Sequence, residues 1–335
     1  MTQTTNGYQP TPLAAGVWTP LATPFKPHTE ELDLASFRTH VARVASAGSG
    51  LVIMGTNGEA IHLSASERFT LVSVAREHLS STPGLSNTQI IAGTGVASVK
   101  ETISNCIDAA RAGADAAIVI LPGYFAGGLG KDRKAMVQFF TAVADKSPIP
   151  IMVYNFPACV GGIDLDSDLI IEICQHPNVC GAKLTCASIG KGMRIAAAVQ
   201  RPGFHVWSGF ADIILPATMA GFNGVIAGSG NIIPRTLVKL YNLIQQATHE
   251  KNWEKLQQAQ QLQKLVSHAD WVMFKSGIPG TKTALTRWYY EYGVCRLPLQ
   301  PATKEVQHML ETELQDIIEF ERSLEREAGV TPAKA

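Results

Sequence analysis

The chain lacks a charge bias. Its 335 residues carry 28 Lys and Arg against 28 Asp and Glu, so the formal net charge is zero, and charged residues make up only 17%. A protein that binds nucleic acid or an anionic membrane surface usually carries an excess of basic residues. The hydrophobic fraction of 46% is instead typical of a globular protein with a large core. We therefore expect a small-molecule partner and no nucleic acid.

Uninterrupted apolar runs and leader patterns are also missing. The uncharged stretch 213–234 is long enough to cross a bilayer, but glycine, proline and asparagine interrupt it. Residues 1–12 are polar and show neither an apolar segment nor an arginine-rich amphipathic pattern. These features predict no membrane association and a cytoplasmic location.

Metal-binding and disulfide motifs are absent from the sequence. None of the six cysteines forms a Cys-x-x-Cys pair, and although Cys174, Cys180 and Cys186 are evenly spaced, they would fall on a helix, a strand and a loop. There is no His-Glu-x-x-His motif, and Glu59-x-x-His62 stands alone. We expect reduced thiols and no metal.

Short apolar runs bounded by glycine or proline alternate with segments of helical period up to about residue 231. The predicted strands are 16–21, 50–54, 89–92, 116–120, 149–153, 179–183, 205–207 and 224–227. The intervening predicted helices are 33–47, 64–79, 98–112, 131–145, 166–175, 190–199 and 211–220. Nearly continuous apolar strands favour a parallel sheet that is buried on both faces. The predicted fold class is therefore α/β, a (β/α)8 TIM barrel. A doubly wound open sheet would need a Gly-x-Gly-x-x-Gly turn after an early strand, and none is present.

Beyond Pro234 only helical patterns occur, over 235–248, 252–268, 281–290 and 303–324. This change predicts a helical extension packed on the barrel rather than a second independent unit. The expected boundaries are a flexible segment 1–15, the barrel 16–234, the extension 235–326 and a flexible tail 327–335.

Lys183 is the least expected residue, because it ends an apolar barrel strand and lysine is rarely buried. Active sites of such barrels lie at the C-terminal ends of the strands. Desolvation there would lower the pKa of the amine, and a neutral amine can attack a ketone to form a Schiff base. Tyr154, at the neighbouring strand end, is placed to shuttle a proton. Two alternatives stay open: Lys183 forms an ion pair with Glu59 and is not a nucleophile, or Lys275 is the nucleophile instead.

Three further strand ends could bind substrate. The turn after the second strand offers backbone N–H groups and the Thr56 hydroxyl to a carboxylate or phosphate, or is only a tight turn. The loops after the seventh and eighth strands contain Gly209, Gly228 and Ser229. They suit a phosphate group, or they let a substrate approach the backbone closely.

Four motifs in register resemble the dihydrodipicolinate synthase / N-acetylneuraminate lyase family of class I aldolases. They are Gly55-Thr56-Asn57-Gly58-Glu59, Tyr154-Asn155-x-Pro157, Gly181-x-Lys183 and the Ser208-Gly209 turn. The resemblance implies that Lys183 forms the Schiff base without any other cofactor and that Tyr154 shuttles protons. It implies that Thr56 and Asn57 bind the carboxylate of a 2-oxo acid. It also implies that Tyr124 enters a neighbouring subunit's site in a homodimer or homotetramer.

Departures from the family pattern bear on the substrate. Dihydrodipicolinate synthases have an arginine where this chain has Cys159, so that activity is not expected. N-acetylneuraminate lyases carry acidic residues after the glycine that corresponds to Gly209, and the match here is partial. The chain is more similar to two other branches, 4-hydroxy-2-oxoglutarate aldolases and L-threo-3-deoxy-hexulosonate aldolases.

The expected function is cleavage of a 2-keto-3-deoxy sugar acid, first of all L-threo-3-deoxy-hexulosonate, to pyruvate and L-glyceraldehyde. Thr185 and Ser229 are the expected hydroxyl partners for the polyol tail. A second possible enzyme activity is that of a 4-hydroxy-2-oxoglutarate aldolase, which yields pyruvate and glyoxylate. Two further hypotheses involve no aldol chemistry: a barrel that only senses a 2-oxo acid or phosphate, and a phosphate- or flavin-binding barrel.

Overall fold

The computed structural model describes residues 12–330. The predicted flexible segment 1–15 and tail 327–335 therefore lie largely outside the described residues. Residues 12–15 belong both to the predicted flexible segment and to the described residues. There Leu13 is buried against the barrel interior, so the packed chain begins before residue 16. Within residues 12–330 no helix has both the length and the apolar character needed to cross a bilayer.

Parallel strands form a closed barrel in sequence order, with β8 pairing back onto β1, which confirms the predicted fold. The strands are β1 Gly16–Pro20, β2 Gly50–Ile53, β3 Ile90–Gly93, β4 Ala116–Ile120, β5 Ile151–Asn155, β6 Val179–Leu184, β7 His205–Ser208 and β8 Gly224–Ile226. The fifth strand begins two residues later than predicted. Pro150 has no N–H to donate to the ladder, so pairing starts after it and Tyr154 lies inside the strand.

The outer helices of the barrel follow the predicted alternation. They are α1 Leu34–Ser46, α2 Ala65–Ser81, α3 Val99–Ala112, α4 Ala126–Leu129, α5 Arg133–Lys146, α6 Ser167–Cys174, α7 Ile189–Ala198, α8 Ile214–Met219 and α9 Pro234–His249. The Ser64 hydroxyl accepts from the Glu67 N–H, and the Glu67 carboxylate accepts from the Ser64 N–H, so a capping box opens α2.

Helix α9 packs on the strands of the barrel. Its residues Leu237, Leu240 and Ile244 share one buried cluster with Val17 of β1 and Val225 of β8. A boundary at residue 234 would leave the eighth strand without its outer helix. The same cluster also includes Ala259 and Leu262 of the extension, so α9 packs against both parts, and the boundary at residue 234 stays a prediction.

The extension consists of α10 Trp253–Trp288, α11 Lys304–Glu313 and α12 Gln315–Glu327. The two helices predicted at 252–268 and 281–290 are continuous in α10 except at Gly277, whose φ of 63° and ψ of −164° are not helical. Pro279 follows this break and occupies a first-turn position, where its missing N–H is tolerated. The single helix predicted at 303–324 is instead divided at Leu314.

Two tryptophans fill the lower interior of the barrel. Trp18 and Trp207 meet edge to face with ring centroids 6.3 Å apart. Glycines make room for them, because a Cβ at Gly50 would lie 2.4 Å from the Trp18 ring and one at Gly181 2.8 Å from the Trp207 ring. The two rings thus pack the interior at this level, and a cavity lies toward the C-terminal ends of the strands.

Candidate active site

A cavity of about 220 Å³ lies at the C-terminal ends of the strands. It brings together eight of the nine residues predicted for the site: Thr56, Asn57, Tyr154, Lys183, Thr185, Gly209, Gly228 and Ser229. Helix α10 closes one side with Asp270, Met273 and Phe274. The cavity suits a small organic acid and is smaller than typical pockets for drug-sized ligands, which start at about 300 Å³.

Lys183 lies near the end of β6, between Tyr154 of β5 and Trp207 of β7 in the sheet register. Its side chain is 5% exposed, and its Nζ lies 4.4 Å from the centroid of the Tyr154 ring. Burial lowers the pKa of the amine from 10.5 to about 7. A large fraction of this lysine is therefore neutral and nucleophilic near neutral pH.

Glu59 does not pair with Lys183, so that hypothesis is wrong. The Glu59 carboxylate lies 2.6 Å from the Lys282 Nζ on α10 and 3.0 Å from the His62 Nδ1. It also accepts a hydrogen bond of 3.0 Å from the Arg296 N–H. With these partners the carboxylate fixes the turn after β2, and it leaves the cavity lysine without a counter-ion from this turn.

Lys275, the rival nucleophile, is exposed on α10 and does not line the cavity. Its position fits a solvated surface lysine. Lys183 is the lysine that the cavity contains.

Tyr154 is 6% exposed, and its phenol oxygen lies 3.4 Å from the Thr56 Oγ1. Burial raises the pKa of the phenol, while the hydroxyls of Thr56 and Thr185 partly oppose this rise. Tyr154 is therefore protonated near neutral pH and can pass a proton only by receiving another, which makes it a relay. Burial also raises the pKa of the Cys159 thiol, so a neutral group lines the cavity at this position.

Close backbone approach explains the two glycines of the site. A Cβ at Gly228 would lie 2.5 Å from the Asn57 Nδ2, and one at Gly209 would lie 2.0 Å from the Thr185 Oγ1. Either side chain would displace a residue that lines the cavity. The glycines thus let Asn57 and Thr185 pack closely against the loops after β8 and β7, and binding of a phosphate or of a substrate at these loops stays a prediction.

Asp270 was missed by sequence reasoning because α10 was assigned to an extension without a role in the site. Its Oδ1 accepts a 2.6 Å hydrogen bond from the Ser229 hydroxyl, and its Oδ2 accepts from the N–H groups of Ala211 at 2.8 Å and Asp212 at 3.2 Å. Burial raises its pKa to about 6. An acid inside the apolar run Ala269-Asp270-Trp271-Val272-Met273 is the signal that could have found it.

Tyr124 is the predicted residue that lies outside the cavity. It is 87% exposed and stacks edge to face on Phe125, which is 70% exposed, at 5.1 Å. Exposed aromatic side chains are common where subunits meet. Its role across an interface stays a prediction.

The fold and the site together define a barrel enzyme with a small-molecule cavity built around a buried lysine. Within the described part of the chain, no group of three or more His, Cys, Asp or Glu is arranged to hold a metal ion. Residues 13–317 match the dihydrodipicolinate synthetase family, and the chain belongs to this family.

Two curated relatives bear on the activity. The chain is 39% identical to the L-threo-3-deoxy-hexylosonate aldolase of Aspergillus niger, a match that covers 94% of this chain and 98% of the relative. It is also 39% identical to a protein of Emericella nidulans whose name gives it as a probable mitochondrial 4-hydroxy-2-oxoglutarate aldolase, again over 94% and 98% of the two chains. These matches confirm the predicted family and the predicted enzyme class, a lyase.

Solved structures of the family have the same fold. A dihydrodipicolinate synthase family protein from Coccidioides immitis is 32% identical with a TM-score of 0.81, covering 96% of this chain and 99% of that one. A prophage protein of the family from E. coli K12, solved in complex with pyruvate, is 25% identical with a TM-score of 0.80, covering 90% and 98%.

Proposed function

We propose that this protein is a class I aldolase that cleaves L-threo-3-deoxy-hexulosonate to pyruvate and L-glyceraldehyde. The observation that carries the proposal is the buried Lys183, whose pKa falls to about 7 inside a small cavity beside Tyr154. The substrate is suggested by the name of the Aspergillus niger relative. No cofactor beyond the lysine itself is needed for this reaction.

In the proposed reaction the neutral amine of Lys183 adds to the C2 ketone, and loss of water gives an iminium ion. Tyr154 takes the proton of the C4 hydroxyl while it passes its own toward Thr56. The C3–C4 bond then breaks, its electron pair flows into the iminium, and an enamine and the aldehyde result. The relay of Thr56 and Tyr154 returns a proton to C3 of the enamine, which restores the iminium, and addition of water then releases pyruvate and the free lysine.

The cavity lining supports an orientation for the substrate. Thr56 and Asn57, on the turn after β2, would bind the carboxylate of the 2-oxo acid. Thr185 and Ser229 would bind the hydroxyl groups beyond C4. Because Cys159 is neutral, the cavity offers no cation at that position to a second carboxylate.

A 4-hydroxy-2-oxoglutarate aldolase is the second candidate, and the Emericella nidulans relative favours it. Both substrates release pyruvate, so a coupled assay measures kcat/KM for each with the same protein. A higher value for 4-hydroxy-2-oxoglutarate would overturn the substrate that we propose. We keep the cytoplasm as the expected compartment, although that relative's name places it in mitochondria.

Borohydride reduction in the presence of pyruvate tests the lysine. We expect a mass increase on the peptide that contains Lys183, its loss in Lys183→Ala, and no change in the control Lys275→Ala. An adduct on Lys275 would overturn the assignment. A sensor rather than an enzyme would bind pyruvate equally well after Lys183→Ala and would show no turnover before it.

We further propose a homodimer or a homotetramer in which Tyr124 completes the neighbouring site. Lys183→Ala and Tyr124→Phe subunits should each have low activity alone. After mixing and subunit exchange, hybrid dimers would contain one intact site, so activity should reappear. Mixtures that stay inactive, although native mass spectrometry shows hybrids, would refute the shared site.

A further inference from the structure

Ser229 and Asp270 form one wall of the cavity, at the loop after β8 and on α10 respectively. Both are buried, with Asp270 6% exposed and Ser229 1% exposed. Asp270 comes from outside the barrel, and yet it lines the same cavity as Lys183. Its carboxylate is therefore available to influence what binds there.

The hydrogen-bond pattern fixes the direction of the Ser229 hydroxyl. The Asp270 Oδ2 is occupied by two backbone N–H groups, and the Oδ1 accepts from the Ser229 Oγ at 2.6 Å. Because an ionised carboxylate has no hydrogen to give, the serine must be the donor. The Ser229 oxygen consequently presents only lone pairs to a ligand, and it can accept a hydrogen bond but cannot donate one.

The charge around this wall is negative. Burial raises the pKa of Asp270, and the nearby charge of Asp212 raises it further. In the part of the chain that the structure describes, no Lys, Arg or His lowers the pKa of either carboxyl group as an ion-pair partner. Hydrogen bonds from N–H and O–H groups alone stabilise the Asp270 charge, so a second carboxylate nearby would meet repulsion.

We propose that Asp270, acting through Ser229, is a specificity-determining residue that selects a hydroxylated tail and rejects a tail that ends in a carboxylate. A hydroxyl group can donate to the lone pairs of Ser229, whereas a carboxylate can only accept and carries the wrong charge. This inference rests on the proposed aldolase function. It explains how the cavity distinguishes a six-carbon sugar acid from a five-carbon dicarboxylate with the same reacting atoms.

The substitution Asp270→Asn removes the charge of this side chain with little change in its shape. The amide oxygen of the new side chain would stay on the two backbone N–H groups, so its NH2 would face the Ser229 oxygen. The serine hydrogen would then be released toward the cavity, where it can donate to a carboxylate. The substitution thus removes the charge and reverses the hydrogen bond together.

The measurement is kcat/KM for L-threo-3-deoxy-hexulosonate and for 4-hydroxy-2-oxoglutarate in wild type, Asp270→Asn and Ser229→Ala. We expect the ratio of the two values to fall by about tenfold or more in Asp270→Asn, since one such polar contact discriminates by at least this much. Ser229→Ala should also reduce the ratio, because it lowers kcat/KM for the sugar acid. If both substrates slow by the same factor in Asp270→Asn and in Ser229→Ala, the two residues have only a structural role and the inference is overturned.

Gln263→Met provides the matched control, two helical turns earlier on α10. The Gln263 Nε2 donates to the carbonyl of Ala211 at 2.9 Å, so it holds the same loop as Asp270, but it does not line the cavity. We expect the ratio to stay within about twofold of wild type in this variant, even if the stability falls. A fall as large as in Asp270→Asn would show that any disturbance of this loop changes selectivity, and would contradict the inference.

Borohydride trapping with pyruvate distinguishes failure of the inference from failure of the proposed function. An adduct on Lys183 in wild type and in Asp270→Asn, with an unchanged substrate ratio, overturns the inference alone. Absence of the adduct and of turnover in wild type overturns both.

Discussion

Replacing Lys183 with methionine should stabilise the fold near neutral pH while it abolishes turnover. The folded protein must either bury a charged ammonium or release its proton, and both are unfavourable. The pKa of the amine falls from 10.5 to about 7, and a difference of this size corresponds to about 5 kcal/mol at ~1.4 kcal/mol per tenfold change in proton affinity. Methionine has a similar length and no charge, so it avoids this cost.

The pH dependence of the effect identifies its cause. Between about 7 and 10.5 the unfolded chain binds more protons at this lysine than the folded chain, so wild-type stability rises with pH across this window. Because of Lys183 alone, the free energy of unfolding of wild type should be lower than that of Lys183→Met by about 4 kcal/mol near pH ~7 and by about 1 kcal/mol near pH ~10. Water penetration and relaxation reduce both figures, but the difference between them keeps its sign.

The assay is equilibrium urea unfolding of both proteins at the two pH values, followed by circular dichroism at equal protein concentration with a reducing agent. Groups other than Lys183 titrate in both proteins, so their contributions cancel in the difference. Lys275→Met is the control, because this lysine is exposed and its replacement should change stability by less than about 0.5 kcal/mol at either pH. The reasoning is refuted if Lys183→Met is destabilised at neutral pH, or if the difference does not shrink as pH rises.

Two further substitutions test the support of the site. Gly228→Ala would place a Cβ 2.5 Å from the Asn57 Nδ2, so we expect KM to rise by about tenfold or more, a loss of ~1.4 kcal/mol in binding. The control Gly190→Ala lies at an exposed position and should leave KM unchanged. Equal KM values in the two variants would contradict the crowding argument. Glu59→Gln should destabilise the fold by about 3–5 kcal/mol because it leaves the buried Lys282 without its carboxylate. Adding Lys282→Met should recover much of this loss in urea unfolding, and a double variant as unstable as the sum of the single ones would show that the pair does not interact.

The barrel could be predicted because its signals are local. Each strand is a short apolar run between glycine or proline, and each helix has its own period and cap, so alternation is visible without knowledge of distant contacts. The error at the fifth strand has a local cause as well: Ile149 is apolar enough to extend the run, but Pro150 has no N–H to donate to the ladder, and the strand starts at Ile151.

Lys183 could be identified for a related reason, since a charged residue at the end of an apolar strand stands out within its own segment. Asp270 and Lys282 could not be placed in the same way. The partners of Asp270 are N–H groups 58 and 59 residues away, and Lys282 pairs with a carboxylate 223 residues away. Only the path of α10 across the barrel brings these groups together, and no pattern in the sequence specifies that path.

Helix α10 therefore does more than cover the barrel. Through Lys282 it holds Glu59, which fixes the turn that carries Thr56 and Asn57 at one side of the cavity. Through Asp270 it orients Ser229 at the other side. The break at Gly277 lies between these two contacts, and it lets a single helix direct one carboxylate into the cavity wall and one ammonium beneath the turn after β2. The barrel supplies the reactive lysine, while the extension determines the shape and charge that surround it, so neither part forms the site without the other.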